Sequence, residues 1–257
     1  MIEVKNLDVF YGKTEVLKNI NFSLKRGEII CILGENGSGK STLLKSLLKL
    51  IPIKNGEISV EEENLKNFDN KKLSKVISYI PQSHFPSFDY NVVDVILMGN
   101  YSKKKGMFFK ITKEDTDRVL EILKSLGIEH LKTKNYRQIS GGERQLVLIA
   151  RALLQANNYI FMDEPVANLD FGNQVKIMEI CSSLKKKEIG FLITTHNPNH
   201  ALSYADKVLI VQKNKETFFG NAFEILNKKR LEDLYGISID IIDYDGNRVC
   251  IPKYREK

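Results

Sequence analysis

The 257-residue chain has no apolar run near the roughly 18 residues that a membrane-spanning helix needs. Its longest apolar stretches, Ile29–Leu33 and Leu146–Ala150, are far shorter. Its three cysteines, Cys31, Cys181 and Cys250, are widely separated and form no CxxC pair. That spacing argues against both a disulfide framework and a thiolate metal site. Cys31 sits inside an apolar run and is expected to be a buried thiol. The start, Met1-Ile2-Glu3-Val4, lacks the basic-then-apolar order of a secretory signal, so a cytosolic, soluble chain is expected. Low-complexity tracts, long repeats and Pro/Ser-rich linkers are also missing, and one unit over residues 1–257 is the expected organisation. Arginine is scarce, with eight among 39 basic residues.

Lysine therefore carries most of a formal charge of +7. Lysine is a hydrated point charge, and arginine the better bidentate reader of bases and phosphates. The clusters Lys103–Lys105, Lys185–Lys187 and Lys228-Lys229-Arg230 have no interleaved aromatics on which bases would stack. Solvated surface is the favoured reading, and nucleic acid is not an expected partner. With 42% hydrophobic residues the chain can bury a sizeable core.

Apolar strand patterns at Glu28–Leu33, Val76–Ile80, Tyr159–Met162, Gly190–Thr194 and Lys207–Val211 alternate with helical ones. The helical patterns include Leu43, Leu44, Leu47 and Leu48, and the stretch Gln174–Lys187. This alternation predicts an α/β fold with a mainly parallel sheet. A helical subdomain is expected over about 83–157. Within it Thr112 and Asp115 suit a capping box, and Val119, Ile122, Leu123 and Leu126 share a helical face ahead of Gly127. The tail alternates about Asp245-Gly246, which reads as a β-hairpin near 237–252.

The chemistry is concentrated in short motifs. Gly34-Glu35-Asn36-Gly37-Ser38-Gly39-Lys40-Ser41 fits G-x-x-x-x-G-K-[ST] between a predicted strand and a predicted helix. Glycines let backbone N–H groups wrap an anion, and the following helix aims its positive end at it. Lys40 can then reach the β- and γ-phosphates of a nucleotide, and the Ser41 hydroxyl can ligate Mg²⁺. Tyr159–Glu164 is an apolar strand ending in two acids, at the edge where parallel sheets bind ligands. Asp163 is placed to hold Mg²⁺; Glu164, pointing elsewhere by strand alternation, can polarise an attacking water. Ile139–Gln145 opens another helix, with Ser140 as its cap and Gly141 and Gly142 baring its first N–H groups. That second anion-seeking helix end suggests one nucleotide shared between two surfaces.

Together these features resemble an ABC-type ATPase, a P-loop NTPase fold, over essentially the whole chain. Gly34–Ser41 matches its Walker A loop, Tyr159–Glu164 its Walker B strand with the adjacent glutamate, and Ile139–Gln145 its signature, with Ile139 for the usual leucine. Gln82 matches the Q-loop, Asp170 ends a D-loop-like Ala167–Asp170, and His196 matches the switch histidine. The resemblance implies ATP and Mg²⁺ as ligands, with Glu164, His196 and Gln82 as catalytic residues. It implies an ATP site from Tyr11, stacking adenine, and Val16 through Gly34–Thr42, and a metal site of Ser41, Gln82 and Asp163. Tyr11 as a packed turn aromatic, His196 as a strand-end histidine and Gln82 as a loop residue are the plainer readings of those three. The family also implies an N-terminal antiparallel β portion and a head-to-tail homodimer. There Ser140, Gly141, Gly142 and Glu143 would contact the ATP held by the other copy.

A finer resemblance is to the ATPases of importers for iron-siderophores, haem or cobalamin. It rests on stretches such as Val92–Gly99, Leu169–Gln174, Thr194–Leu202 and Leu234-Tyr235-Gly236. It implies integral-membrane permease subunits as partners, a substrate-binding protein acting through the complex, and a peripheral place on the cytoplasmic face. Residues near Gln82–Gly99 would receive a permease helix, with Phe85, Phe88 or Tyr90 either as its anchors or, equally, packed inside the helical insertion. Lys103–Lys105 would lie near an anionic inner membrane. An ABC-type ATPase acting on DNA or ribosomes is the alternative, but it would carry a coiled-coil insertion, a second ATPase half or a basic extension. None is visible.

Overall fold

The computed structural model describes residues 1–82, 89–102, 111–155, 158–213 and 216–253. The predicted anchors Phe85 and Phe88, and the cluster Lys103–Lys105, lie outside them. A six-stranded sheet forms the centre. Five strands are parallel, in the order β6 (Ile77–Ile80), β7 (Tyr159–Asp163), β8 (Gly190–Thr195), β3 (Ile29–Leu33) and β9 (Lys207–Ile210). β10 (Phe218–Asn221) closes the β9 edge antiparallel. β3, β7 and β8 are buried at every position, as a parallel sheet covered on both faces requires.

Alternation along these strands divides the core in two. Ile29, Cys31 and Leu33 of β3, with Ile160 and Met162 of β7, face one cluster. There they meet α3 (Val92–Leu97), α4 (Lys113–Ser125), α5 (Gly141–Gln155) and α6 (Phe171–Lys185). Ile30, Ile32, Tyr159 and Phe161 face the other cluster, made with α1 (Lys40–Leu47) and a separate antiparallel sheet. That sheet runs β2 (Thr14–Leu24), β1 (Ile2–Tyr11), β4 (Asn55–Val60), β5 (Glu63–Asn64). All three cysteines are buried and free, and burial pushes the Cys181 thiol up to about 12. No described helix is long and apolar enough to cross a membrane.

Local chemistry sets the element ends. Thr112 and Asp115 close a reciprocal capping box on α4, and Val119 and Leu123 are its buried residues. α6 starts at Phe171 because the Asp170 side chain caps it, three residues ahead of the apolar pattern. Val76, read as strand from its apolar side chain, instead ends α2 (Asn70–Val76), which Asp69 caps; β6 begins one residue later. The tail is a hairpin of β11 (Ile239–Tyr244) and β12 (Asn247–Pro252), turning at Asp245 and Gly246, both with positive φ. α7 (Pro198–Tyr204), α8 (Ala222–Ile225) and α9 (Lys228–Tyr235) join the first core cluster through Ala201, Ala222, Leu231 and Leu234.

Candidate active site

Register places three strand ends side by side. Leu33 pairs with Thr195, and Asp163 with Thr194, so β3, β7 and β8 deliver their following residues to one sheet edge. From β3 the chain enters the glycine loop and then α1. Gly37 and Gly39 have φ of +79° and +105°, backbone that L side chains rarely adopt. A Cβ at Gly39 would lie 2.7 Å from Leu17 Cδ2, so the loop presses directly on β2. Gly39 caps α1 with no side-chain bond, leaving that helix end to be satisfied by something else.

Lys40 is only 5% exposed, and its Nζ donates to Gly34 O at 2.8 Å and Glu35 O at 3.1 Å. Beside it, Ser38 is buried with an Oγ that has no partner among the described residues. An orphaned hydroxyl, an uncapped helix start and a lysine folded onto loop carbonyls are the features an incoming phosphate would complete.

The two acids separate, but through a turn as well as strand alternation. Asp163 ends β7; Glu164 adopts φ +46° and leaves the strand. Asp163 Oδ1 accepts from Ser41 Oγ at 3.0 Å and from Thr194 Oγ1 at 2.8 Å. Its Oδ2 lies 3.4 Å from the Tyr79 hydroxyl. Burial, then the Asp163 charge, pushes the Tyr79 phenol up to about 12, so it remains a donor at neutral pH. Hydroxyl and carboxylate oxygens are the hard donors Mg²⁺ prefers, and Ser41 with Asp163 fits that ion. Among the described residues no three His, Cys, Asp or Glu side chains converge as a metal cluster.

Glu164 faces the opposite wall. Its Oε1 is 3.6 Å from Lys40 Nζ; its Oε2 is 3.2 Å from Gln82 Nε2 and 3.6 Å from His196 Nδ1. Its backbone N–H donates to Thr194 Oγ1 at 2.8 Å. One open cavity of about 700 Å³ is lined by Val16, Gly34–Gly37, Gly39–Thr42, Gln82, Glu164, His196 and Tyr235.

The remaining expected residues do not line it. Tyr11 stands at the end of β1, 51% exposed. Ser140 and Glu143 cap α5 reciprocally: Ser140 N–H donates to Glu143 Oε2 at 2.8 Å, and Glu143 N–H to Ser140 Oγ at 3.3 Å. The Ser140 backbone bond holds the Glu143 carboxyl below its ordinary range. Asp170 accepts from Asn173 N–H at 3.0 Å. A Cβ on Gly142 would fall 2.6 Å from Asn173 Cγ. Gly142 therefore has a packing reason to be glycine in addition to the phosphate approach read from sequence.

Residues 17–167 match the family model described as ABC transporter. The chain belongs to the ABC transporter family. It is an ATP-binding subunit of that family, an ATPase coupled to transport. It is 33% identical to the probable iron chelatin transport ATP-binding protein of Helicobacter pylori, over 97% of this chain and 98% of that one. It is 34% identical to the phosphonates import ATP-binding protein of Fusobacterium nucleatum, over 93% and 99%. Among solved structures, an inward-facing ABC transporter described as of metal-chelate type superposes with a TM-score of 0.87 at 30% identity. That match covers 99% of this chain and 97% of the other.

Two site residues of this ABC subunit escaped the sequence motifs. Thr194 touches both acids' residues through one hydroxyl, yet in sequence it is one of two threonines before His196. Tyr235 reaches the cavity from α9, 39 positions from the histidine whose carbonyl it meets. Both stand in stretches that carry the finer resemblance, Thr194–Leu202 and Leu234-Tyr235-Gly236, but nothing local there marks these contacts.

Proposed function

We propose that this subunit powers import of a metal chelate, an iron-siderophore, haem or cobalamin, through a membrane permease. Two copies would close head-to-tail over two ATP molecules. The observation that carries the ATP chemistry is Glu164 held between Lys40, Gln82 and His196 at the mouth of the glycine-loop cavity. Loop N–H groups and Lys40 take the phosphates, and Tyr11 with Val16 takes the adenine. Glu164 orients water for in-line attack, and His196 and Gln82 hold the carboxylate and the γ-phosphate side of the cavity. Ser41, Asp163 and Gln82 would hold Mg²⁺, which supplies charge neutralisation on the phosphates.

Ser140–Glu143 would contact the ATP of a second copy, with Asp170 beside that junction through Asn173, which packs against Gly142. A membrane permease and, indirectly through it, a substrate-binding protein would complete the machine, with this subunit peripheral on the cytoplasmic face and its residues about 83–157 as a helical subdomain. The metal-chelate reading draws on the Helicobacter relative and the solved transporter, and the equally similar phosphonate relative makes cargo the point to test.

Mixing two inactive variants tests the shared site. Lys40→Ala damages the phosphate loop and Ser140→Arg the opposing face. A mixed pair then keeps one composite site whole, and random pairing restores about a quarter of wild-type nucleotide sites. No restored ATP occlusion in the mixture would place both motifs in one chain's site. For cargo, the subunit with its permease should show ATPase stimulation by a ferric siderophore–binding protein complex; stimulation by a phosphonate instead would overturn that assignment.

A further inference from the structure

Tyr235 and the hairpin behind it touch the site at a place that the motifs do not account for. The Tyr235 hydroxyl donates to the backbone carbonyl of His196 at 3.0 Å, and its ring lines the glycine-loop cavity. Burial pushes this phenol well above its ordinary range, so it is a donor at any working pH.

Three residues past His196 there is a second tie. Asn199 Nδ2 donates to Cys250 O at 3.1 Å, and its Oδ1 accepts from Cys250 N–H at 2.7 Å. One side chain thus completes a backbone pair of the tail hairpin. The tail is itself fixed: Leu231, Leu234, Ile239 and Cys250 belong to the main core cluster. Glu232 Oε1 accepts from Ile239 N–H at 3.0 Å, joining α9 to β11. The short segment 196–199, running from the end of β8 into α7, is therefore held at both ends by residues 235–250.

We infer that the C-terminal segment is a positioning element of the nucleotide site, with Tyr235 and Asn199 fixing the switch segment so that the His196 imidazole stays beside Glu164. This rests on the reading of Glu164 and His196 as hydrolytic residues. His196 is half exposed and, among the described residues, its ring has the 3.6 Å approach to Glu164, so its direction depends on where its backbone is held. The glycine loop is positioned by β3 and α1, which the tie does not hold. The effect should fall on turnover and spare ATP affinity.

The test is steady-state ATPase kinetics of the full-length chain with its permease. Tyr235→Phe keeps the ring and removes one hydroxyl. We expect kcat about tenfold lower with KM for ATP within about twofold, less than the ~10²-fold that a misplacement of about 1 Å costs. Asn199→Ala should give the same split from outside the cavity. Amide exchange across residues 196–199 should quicken in both variants. In a His196→Ala background, Tyr235→Phe should lower kcat no further, since the group it positions is gone. Unchanged kcat in Tyr235→Phe, or an equal drop in both backgrounds, overturns the inference and leaves the ATPase reading intact. Wild-type turnover in His196→Ala overturns the hydrolytic role of His196 and, with it, the inference.

Discussion

Adding one carbon to the glycine loop separates backbone strain from steric crowding. Gly37 and Gly39 both hold positive φ, but only Gly39 is crowded: its added Cβ meets Leu17 Cδ2 at 2.7 Å and Val16 Cγ1 at 3.2 Å, whereas Gly37 has open space. Gly37→Ala should therefore cost only the left-handed backbone term, about 1–2 kcal/mol. Gly39→Ala adds the overpacking of buried Leu17, about 1–3 kcal/mol more. For a chain of this size each kcal/mol moves the melting midpoint by about 2–4 °C. The two variants should thus differ by several degrees in a thermal melt without nucleotide, Gly39→Ala being the lower. Leu17→Val trims the clashing branch, so Gly39→Ala with Leu17→Val should lose less than the sum of the single losses. Equal melting points for Gly37→Ala and Gly39→Ala, or strict additivity with Leu17→Val, would refute the claim that the loop presses directly on β2 at Gly39.

Glu164→Gln keeps the size of the side chain and removes the carboxylate; ATP binding should persist while turnover falls by about 10²-fold or more, measured by phosphate release against nucleotide retention. Thr194→Val removes the hydroxyl that serves Asp163 and the Glu164 backbone, so kcat should fall and the Mg²⁺ requirement rise, with Thr194→Ser restoring both; a Mg²⁺ titration of activity that does not move would remove Thr194 from the site. His200, bonded to Thr195 and Asn197, has its pKa lowered from 6.5, chiefly by burial and then by the His196 charge. The unfolded chain takes up that proton below about pH 6.5 while the folded one resists until lower pH. Stability should fall on acidification through that window, by at most about 1.4 kcal/mol per pH unit, and His200→Gln should flatten the slope in denaturant melts.

What the sequence made legible was whatever sits on adjacent residues. The glycine loop, the Asp163-Glu164 pair, the α4 capping box and the hairpin turn at Asp245-Gly246 each carry their own geometry in a few positions. Sheet order did not: nothing in the alternation says that β8 lies between β7 and β3, yet that neighbourhood alone brings Thr194 to Asp163. Strand alternation rightly separated Asp163 from Glu164, but the left-handed turn at Glu164 that aims it at Lys40 left no sequence trace. α2 was illegible because Leu73 is its single buried residue, too little for a helical period. α9 was masked in the same way by a charged run, Lys228–Asp233, whose packing partners come from elsewhere in the chain; Tyr235 carried part of the family resemblance, but its bond to His196 left no local trace.

Lys40 joins the two halves of the site's chemistry. A nearly buried ammonium must keep its hydrogen bonds, and here it does so with two loop carbonyls while facing Glu164. Phosphate oxygens offer the same cation more negative charge than two neutral carbonyls, so an arriving nucleotide competes for Nζ directly. Each N–H that turns to phosphate is one drawn away from the loop, and the Coulomb pull on Glu164 weakens as the cation is neutralised. The carboxylate is then left to Gln82 and His196. On the proposed function, binding and catalysis would be linked through one amine: the group that senses the phosphates would be the group that restrains the carboxylate without them.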